Sequence, residues 1–242
     1  MIFAHRGANR EAAENTRTAF DKALAYPIDG IETDIQLSRD EVGVLWHDDD
    51  LGKLGMAVKR IEDFDHTQMR DMNFAAHFAG ATPEGVMSLQ EFITAYRSRC
   101  RLLLEIKNYP GEAEARRQSK VRQTLALAGP AAGEHVIASS FELDSLTYAC
   151  QVGPPFPLVL NLDRQHDADF ARRTLDAHPF LHGLCIHRAT LDEAMMRVVR
   201  ERGKFIGVYT CNTDDDIQRA LGLGVDVLIS DVPQKALQMR DQ

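Results

Sequence analysis

The 242-residue sequence contains no apolar run of about 18 residues or more, the length that a membrane-spanning helix needs. Its four cysteines are scattered without Cys-x-x-Cys or zinc-type spacing, so we expect free, buried thiols and no disulfides. It also lacks the excess of basic residues that a nucleic-acid-binding protein needs, because it has 28 lysines and arginines but 36 acidic residues, which gives a net charge of −8. The first residues run directly into a predicted strand, without the segments of a signal peptide, which indicates a cytoplasmic protein.

The remaining composition is ordinary for a globular protein. Hydrophobic residues make up 44% and charged residues 26%, which allows a sizeable core. The chain has no internal repeat, low-complexity tract or linker, so one domain over residues 1–242 is predicted. Because the net charge is negative, the binding of an anionic ligand requires local positive charge, either from a metal ion or from arginines and lysines at the binding site.

Short apolar segments alternate with helical stretches, a pattern typical of βαβ units and a parallel sheet. The predicted strands are Ile2–His5, Gly30–Leu37, Val42–His47, Leu102–Lys107, Val136–Ser140, Leu158–Leu162, Gly183–His187, Phe205–Thr210 and Val225–Ser230. The predicted helices are Glu14–Tyr26, Ser88–Arg99, Glu112–Leu127, Glu142–Cys150, Asp167–Ala177, Leu191–Arg202 and Thr213–Leu223.

The third predicted strand cannot run parallel to the second. Only four residues separate Leu37 from Val42, far fewer than a parallel crossover needs. Val42–His47 is therefore predicted to return as an antiparallel hairpin, which leaves eight parallel strands. We expect a TIM-type (β/α)8 barrel, with a three-layer open α/β fold as the alternative. Residues 48–86, with a short amphipathic segment at Ile61–Asn73, are predicted to form an insertion over one end of the barrel.

Polar residues stand where the strands of such a barrel end, the position of active sites in this architecture. His5 ends the first strand. Glu32 and Asp34 lie two residues apart in the second strand, so their side chains share a face; Glu105 and Lys107 repeat this spacing in the next barrel strand. Each residue alone is compatible with an exposed strand face or a simple ion pair. Their coincidence at one barrel end predicts a site.

The hairpin is predicted to add a second histidine there, because a turn centred just before Asp40 would place His47 roughly across from Glu32. Two histidines beside carboxylates suit general acid–base catalysis, since imidazole titrates near neutral pH. Arg6 and Lys107 would hold phosphoryl oxygens and stabilise added negative charge.

Three converging carboxylates would repel one another, and buried charges are costly unless they are paired or bind a cation. All-oxygen ligands from Glu32, Asp34 and Glu105 favour a hard divalent ion, Mg²⁺ or Ca²⁺, with Mn²⁺ also compatible, over zinc. Such an ion would supply the positive potential that the acidic chain lacks. The residues therefore predict metal-dependent hydrolysis of a phosphodiester.

Motifs along the whole chain resemble those of the glycerophosphodiester phosphodiesterase family. They are His5-Arg6-Gly7, Glu14-Asn15-Thr16, Ala19-Phe20, Gly30-Ile31-Glu32-Thr33-Asp34, Val44-Leu45-Trp46-His47-Asp48, Ser88-Leu89-Gln90-Glu91, Glu105-Ile106-Lys107, Ser140-Phe141, Val208-Tyr209-Thr210-Cys211-Asn212 and Val225–Pro233. In order and spacing the set is highly specific, although each fragment alone is not.

The resemblance implies a TIM-type barrel whose insertion, residues 48–86, caps the substrate site at the C-terminal ends of the strands. In the mechanism proposed for the family, the glycerol 2-hydroxyl attacks phosphorus and the alcohol leaves. Water then opens the cyclic phosphate to give glycerol 3-phosphate. The implied roles are metal binding by Glu32, Asp34 and Glu105, acid–base catalysis by His5 and His47, phosphate binding by Arg6 and Lys107, and lining of the substrate pocket by Phe141 and Tyr209.

Few positions depart from the family pattern. Tyr209 stands where Trp is usual, Ser230 where Thr is usual, Ala13 replaces a Pro, and Met87-Ser88 replaces Pro-Thr. Because none of these is a predicted metal ligand or catalytic histidine, we expect them to affect substrate preference more than activity.

The predicted substrates are small deacylated phospholipids such as glycerophosphocholine and glycerophosphoethanolamine, with no nucleic-acid partner and no membrane insertion. A lysophospholipase D-like or phosphoinositide-type enzyme with the same site is one alternative, and a non-catalytic phosphoester-binding barrel is another. A sugar-phosphate isomerase would need a glycine-rich phosphate loop near the chain's end, where Leu221-Gly222-Leu223-Gly224 instead predicts a helix C-terminus. The alcohol group, the metal and the oligomeric state stay open.

Overall fold

The computed structural model describes residues 1–129, 135–153 and 157–242. Its strands are β1 (Ile2–His5), β2 (Gly30–Leu37), β3 (Gly43–Leu45), β4 (Arg101–Ile106), β5 (Val136–Ser140), β6 (Leu158–Leu162), β7 (Gly183–His187), β8 (Phe205–Tyr209) and β9 (Val227–Ser230). Its α-helices are α1 (Arg17–Ala23), α2 (His66–Arg70), α3 (Leu89–Tyr96), α4 (Glu114–Ala128), α5 (Leu143–Val152), α6 (Ala168–Ala177), α7 (Glu193–Glu201), α8 (Asp214–Leu223) and α9 (Pro233–Arg240). All nine predicted strands are confirmed.

The strands other than β3 are parallel and close into a barrel. β1 pairs with β2 on one side and with β9 on the other, so the parallel sheet keeps no open edge. A helix follows each parallel strand, as parallel crossovers require. This closure confirms the predicted TIM-type barrel and excludes the open three-layer alternative.

β3 returns antiparallel along β2, which confirms the predicted hairpin, but the register differs from the expected one by one residue. Leu45 faces Ile35, so the turn is centred slightly later than predicted. Glu41 adopts a left-handed backbone (φ 58°), which closes a three-residue loop in place of a shorter turn. The strand ends before His47, and the prediction that this residue lies across from Glu32 is wrong in register.

The inside of the barrel is apolar toward its N-terminal end and polar toward its C-terminal end. The apolar layer comprises Phe3, Leu103, Ile137, Val159, Cys185, Phe205, Val227 and Ile229. Two residues further along β1, β4 and β6 stand His5, Glu105 and Asn161, which face the same side because side chains alternate along a strand. The polar layer therefore lies at the C-terminal opening of the barrel, called the barrel mouth below, directly above the apolar layer.

Polar caps begin several of the barrel helices where they are expected. Ser88 caps α3 in a capping box, because its hydroxyl accepts from the Glu91 N–H while the Glu91 carboxylate accepts from the Ser88 N–H at 2.9 Å. Side-chain caps also start α1, α6 and α8, at Thr16, Asp167 and Thr213. The sequence pattern does not predict α9, whose apolar residues form no clear stripe; Pro233 occupies its first turn.

The insertion over residues 48–86 packs on β3 around its own apolar cluster. The buried members of this cluster are Val44, Trp46, Leu51, Ile61, Met69, Phe74 and Val86. The predicted amphipathic segment Ile61–Asn73 is not one helix, since a 3-10 turn at Ile61–Asp63 precedes α2. Gln68 accepts from the Asp65 N–H at 2.9 Å, so a new helix starts there and interrupts the segment.

All four cysteines are free thiols, as predicted, but only Cys185 and Cys211 are buried; Cys100 is half-buried and Cys150 is exposed, so the predicted burial is wrong for these two. In the described ranges, no helix combines the length and the apolar character needed to cross a membrane. The organisation of residues 1–242 as a single domain stays a prediction.

The Gly7→Ala substitution should destabilise the protein by about 2–5 kcal/mol, the sum of left-handed strain and overpacking. Gly7 has φ +84°, and an added Cβ would lie 2.7 Å from the backbone of Ala19. The matched control is Gly55→Ala, where φ is +79° but no atom lies within 4 Å, so strain of about 1–2 kcal/mol is expected alone. Urea unfolding measures both. Equal losses would contradict the close approach of the β1–α1 loop to α1.

Candidate active site

Three carboxylates meet at the barrel mouth. Glu32 and Asp34 project from β2, and Glu105 stands beside Asp34 in the parallel register of β4. One oxygen from each of the three lies within 4.8 Å of the others. Glu32 and Asp34 are almost fully buried, at 3% and 1% exposure. The three predicted metal-ligating residues are thus together, in an arrangement that could hold a metal ion.

Two cations neutralise part of this charge. The Arg6 Nε lies 3.1 Å from an Asp34 oxygen, and the Lys107 Nζ lies 2.8 Å from a Glu105 oxygen. Burial alone would raise the pKa of Asp34, but Arg6, His47 and Lys107 together hold it well below its usual range. Burial alone would lower the pKa of Lys107, but the negative charges of Glu105 and Asp34 outweigh this effect and raise the pKa above its usual value. The two predicted phosphate-binding cations therefore stay charged beside the carboxylates.

Glu32 is the third carboxylate of the cluster, and neither Arg6 nor Lys107 forms its ion pair with it. Its Oε2 accepts from the backbone N–H of Arg6 at 3.2 Å, whereas its buried Oε1 has no hydrogen-bond partner among the described residues. Burial, followed by the charges of Asp34 and Glu105, raises the pKa of Glu32 well above its usual value. A buried carboxylate oxygen without a partner, beside two further carboxylates, fits the ligand set of a hard divalent cation.

His5, at the end of β1, is held by a carboxylate that sequence reasoning missed. Its Nδ1 lies 2.6 Å from Asp231 Oδ1, and its Nε2 lies 3.8 Å from a Glu32 oxygen. The side chains of Asn9, Arg10 and Asn212 donate to the same Asp231 carboxylate. A carboxylate on Nδ1 fixes the ring and leaves Nε2 to face the acidic cluster.

Asp231 belongs to the motif that ends β9, and the signal that could have found it is strand order. β1 and β9 pair in a register that sets Ala4 beside Ser230, so the residues that follow these two come together at the mouth. Only the assumption of a closed barrel connects the two ends of the chain in this way.

His47 lies beyond the end of β3 and also has a carboxylate partner that was not predicted. Its Nδ1 lies 2.7 Å from Asp48 Oδ1. The preceding Trp46 donates its backbone N–H to the Asp34 carbonyl at 3.2 Å, which brings His47 next to the acidic cluster. A third of its side chain is exposed, at 33%, against 16% for His5. The two predicted catalytic histidines therefore border one cluster, one of them deeper than the other.

Two asparagines donate hydrogen bonds to two of the carboxylates, Asp34 and Glu105. The Asn15 amide donates to Asp34 at 3.0 Å, and its oxygen accepts from the Thr33 hydroxyl at 2.8 Å. The Asn161 amide donates to Glu105 at 3.1 Å. The sequence pattern does not predict the role of either asparagine. Asn15 belongs to the Glu14-Asn15-Thr16 motif, and Asn161 lies two residues after the inward-facing Val159 of β6, so it faces the same side.

Aromatic side chains form one side of the mouth. Phe141 meets Tyr209 edge to face, with ring centroids 5.8 Å apart, and Lys107 Nζ lies 5.8 Å from the Phe141 centroid. The Tyr209 hydroxyl donates to the Leu162 carbonyl at 2.9 Å, which fixes its ring. A small cavity lined by Tyr209, Asn161 and members of the acidic cluster leads into the barrel. The two predicted pocket residues thus lie together, beside a cation of the site.

A closed (β/α)8 barrel with an acidic, cation-paired cluster and two carboxylate-held histidines at its C-terminal mouth defines a class of barrel hydrolases. The sequence profile of the Glycerophosphoryl diester phosphodiesterase family matches residues 5–235. The chain belongs to this family, and it is an enzyme with glycerophosphodiester phosphodiesterase activity.

Several known proteins resemble it over most of their length. A glycerophosphodiester phosphodiesterase of Bacillus altitudinis is 29% identical over 100% of this chain and 98% of its own. One from Bacillus subtilis strain 168 is 25% identical, over 96% of this chain and 84% of its own. The solved structure of an Oleispira antarctica phosphodiesterase in complex with the product sn-glycerol-3-phosphate has a TM-score of 0.85 at 23% identity, covering 100% of this chain and 97% of that one. The Thermotoga maritima glycerophosphodiester phosphodiesterase has a TM-score of 0.79 at 21% identity, covering 99% and 97%.

Glu32→Gln should stabilise the metal-free protein at neutral pH and remove its stabilisation by a divalent cation. A carboxyl group whose pKa is higher in the folded state favours folding below its unfolded pKa, and that contribution is lost as the pH rises through the folded pKa. The charge of Glu32 therefore weakens the metal-free fold at pH 7. We expect the melting temperature in EDTA to rise by about 2–4 °C, the effect of ~1 kcal/mol in a domain of this size.

Thermal melts with EDTA and with Mn²⁺ measure both effects. The difference in melting temperature between Glu32→Gln and the wild type in EDTA should disappear as the pH falls below about 4.3, where the carboxyl of the unfolded chain is also protonated. The exposed Glu201→Gln on α7 is the control and should change neither melt. If Glu32→Gln melts at a lower temperature than the wild type in EDTA, the charge of Glu32 does not destabilise the metal-free fold and the prediction is wrong.

Proposed function

We propose that this enzyme performs metal-dependent hydrolysis of small glycerophosphodiesters, such as glycerophosphocholine and glycerophosphoethanolamine, to glycerol 3-phosphate and an alcohol. The observation that carries the proposal is the cluster of three carboxylates within 4.8 Å at the barrel mouth, paired with two cations and bordered by two histidines. The product bound in the Oleispira antarctica relative supports glycerol 3-phosphate as the product here.

Glu32, Asp34 and Glu105 would hold the divalent ion, Mg²⁺ or Ca²⁺ with Mn²⁺ also suitable, because all their donors are hard oxygens. The unpartnered Glu32 Oε1 supports this assignment. When bound, such an ion withdraws charge from a phosphoryl oxygen and offsets the negative charge of the site.

Arg6 and Lys107 are the proposed phosphate-binding residues. Their side chains are only 13% and 15% exposed, yet each stays charged because Asp34 and its neighbours stabilise the cation. A fixed guanidinium and an ammonium at the mouth would orient the phosphodiester and stabilise charge on its oxygens during displacement.

His5 and His47 are the proposed acid–base pair. One histidine takes the proton of the glycerol 2-hydroxyl as its oxygen attacks phosphorus, and the other donates a proton to the departing alcohol oxygen as the P–O bond breaks. In the second step water attacks the phosphorus of the cyclic phosphate and the bond to the glycerol 2-oxygen breaks. One histidine takes the proton of the water and the other protonates the 2-oxygen, so both return to their starting protonation states. The carboxylates on both Nδ1 atoms support this role, since each holds its imidazole ring in one orientation.

Phe141 and Tyr209 are proposed to line the part of the pocket that receives the substrate. Their edge-to-face contact gives a rigid apolar wall next to Lys107. A cytoplasmic location is part of the proposal, and the four free cysteines support it because thiols persist in reducing compartments.

Purified protein with Mg²⁺, Mn²⁺ or Ca²⁺ should release choline from glycerophosphocholine, and removal of the metal with EDTA should abolish the release. A coupled choline assay with glycerophosphocholine and lysophosphatidylcholine in parallel measures the preference. Faster release from lysophosphatidylcholine would favour a lysophospholipase D-like enzyme. Binding of glycerophosphodiesters without any release of alcohol would leave a non-catalytic barrel instead.

His5→Ala and His47→Ala should each lower kcat by about 10²–10⁴-fold, the usual contribution of general acid–base catalysis, and leave metal affinity almost unchanged. Glu105→Ala should instead weaken Mn²⁺ binding by more than about tenfold, since even outer partners of a metal contribute that much. Steady-state kinetics and calorimetric titration separate the two effects. The exposed His135→Ala serves as control. Full activity of either histidine variant would contradict the assigned roles.

A further inference from the structure

The ion pairs at the barrel mouth form one continuous chain that passes through the insertion. In order, it joins Asp34 to Arg6 (3.1 Å), Arg6 to Glu14 (3.1 Å), Glu14 to Lys53 (2.7 Å), Lys53 to Asp48 (2.9 Å) and Asp48 to His47 (2.7 Å). The acidic cluster and the second histidine are therefore connected by a route that leaves the barrel strands.

Lys53 is the member of this chain that the insertion contributes. Its ammonium lies between Glu14, on the loop after β1, and Asp48, just after the hairpin. Each of these carboxylates uses its other oxygen for a residue of the proposed machinery: Glu14 Oε2 accepts from Arg6, and Asp48 Oδ1 holds His47. One side chain thus supports both a phosphate-binding cation and a histidine.

The backbone that presents Lys53 is firmly held. The residue lies in a 3-10 turn, Gly52–Leu54, whose first N–H donates to the Asp50 side chain at 2.7 Å. The preceding Leu51 is fully buried in the apolar cluster of the insertion, and the Lys53 Nζ lies 5.8 Å from the centre of the Trp46 ring. The ammonium therefore reaches the mouth from a structured turn, which reduces the entropy lost in holding it there.

Removal of this ammonium would bring two carboxylates into conflict. Glu14 and Asp48 share one donor, so their near oxygens are close neighbours, and their side chains are only 15% and 29% exposed. Burial raises the pKa of Asp48, but the hydrogen bonds from His47 and Lys53 hold it well below its usual range. Without Lys53, repulsion from Glu14 would turn Asp48 away from His47.

We propose that Lys53 is a positioning residue, which couples the insertion to catalysis by holding Asp48 against His47. The inference rests on the proposed function, since it concerns the histidine assigned to acid–base chemistry. Lys53 contacts no reacting group in this role and acts through Asp48. The insertion then takes part in catalysis, in addition to covering the substrate site.

The test compares Lys53→Met with Lys53→Arg and Lys59→Met in the metal-loaded enzyme, with glycerophosphocholine as substrate. Lys53→Met should lower kcat about tenfold and change KM by less than about threefold, a partial loss of acid–base catalysis. Lys53→Arg should recover most of this loss. The exposed Lys59 of the same insertion, which forms no ion pair with a described residue, is the matched control and should keep wild-type kinetics.

A double-mutant cycle tests the route through Asp48. If Lys53 acts through that carboxylate, Lys53→Met combined with Asp48→Asn should be no slower than Asp48→Asn alone. The ¹⁵N shifts of His47 give a second readout, because Nδ1 should lose its protonated tautomer in part when Lys53 is replaced. If Lys53→Met does not fold at the assay temperature, Lys53→Gln takes its place, as it removes the charge but keeps a donor.

A kcat of Lys53→Met within twofold of the wild type would overturn the inference and leave the proposed function intact. The same holds for a large rise in KM at unchanged kcat, which would make Lys53 a substrate contact, and for fully additive effects in the cycle. A wild-type enzyme that releases no choline from glycerophosphocholine would instead overturn the proposed function, and this inference with it.

Discussion

The mutual repulsion of Glu32, Asp34 and Glu105 is the constraint on which the arrangement of the barrel mouth depends. Their oxygens lie within 4.8 Å of one another, and two of the three residues sit on one strand. The ladder between β2 and β4 fixes this spacing, so the side chains cannot separate without breaking the barrel. Arg6 and Lys107 offset two of the charges, while Glu32 keeps a buried oxygen that has no hydrogen-bond partner in the described part of the chain. The native fold thus holds an electrostatic cost that a bound cation would offset.

The loop after β1 shows how the backbone adapts to this charge. Arg6 and Asn15 both adopt left-handed conformations, at φ 56° and 57°, which cost energy for residues with a Cβ. Both residues bond Asp34, Arg6 by an ion pair and Asn15 by its amide. Gly7, which lies between them in the chain, lets the loop approach Ala19 of α1 closely. Charge pairing with the acidic cluster compensates for the strained backbone, so the loop and the cluster stabilise each other.

The two histidines have similar partners but different surroundings. His5 and Asp231 are mostly buried, and Asp231 is held by donors from the loops after β1 and β8. His47 and Asp48 are about one-third exposed, and their support comes from Lys53 in the insertion. One half of the proposed acid–base pair is therefore built into the barrel, whereas the other half depends on an element added to it.

The sequence by itself determined the barrel, the hairpin and the predicted residues of the site. Strand parity puts Glu32 with Asp34, and Glu105 with Lys107, on one face, and the short link after Leu37 allows only an antiparallel return. Only the tertiary structure decided that Asp231 holds His5, because barrel closure joins residues 226 positions apart. It also decided the register of His47 and the link from Lys53 to Asp48, since both depend on loop conformations that periodicity does not encode. Local spacing determines the face of a strand on which a residue lies, but contacts between loops follow from how the closed barrel brings them together.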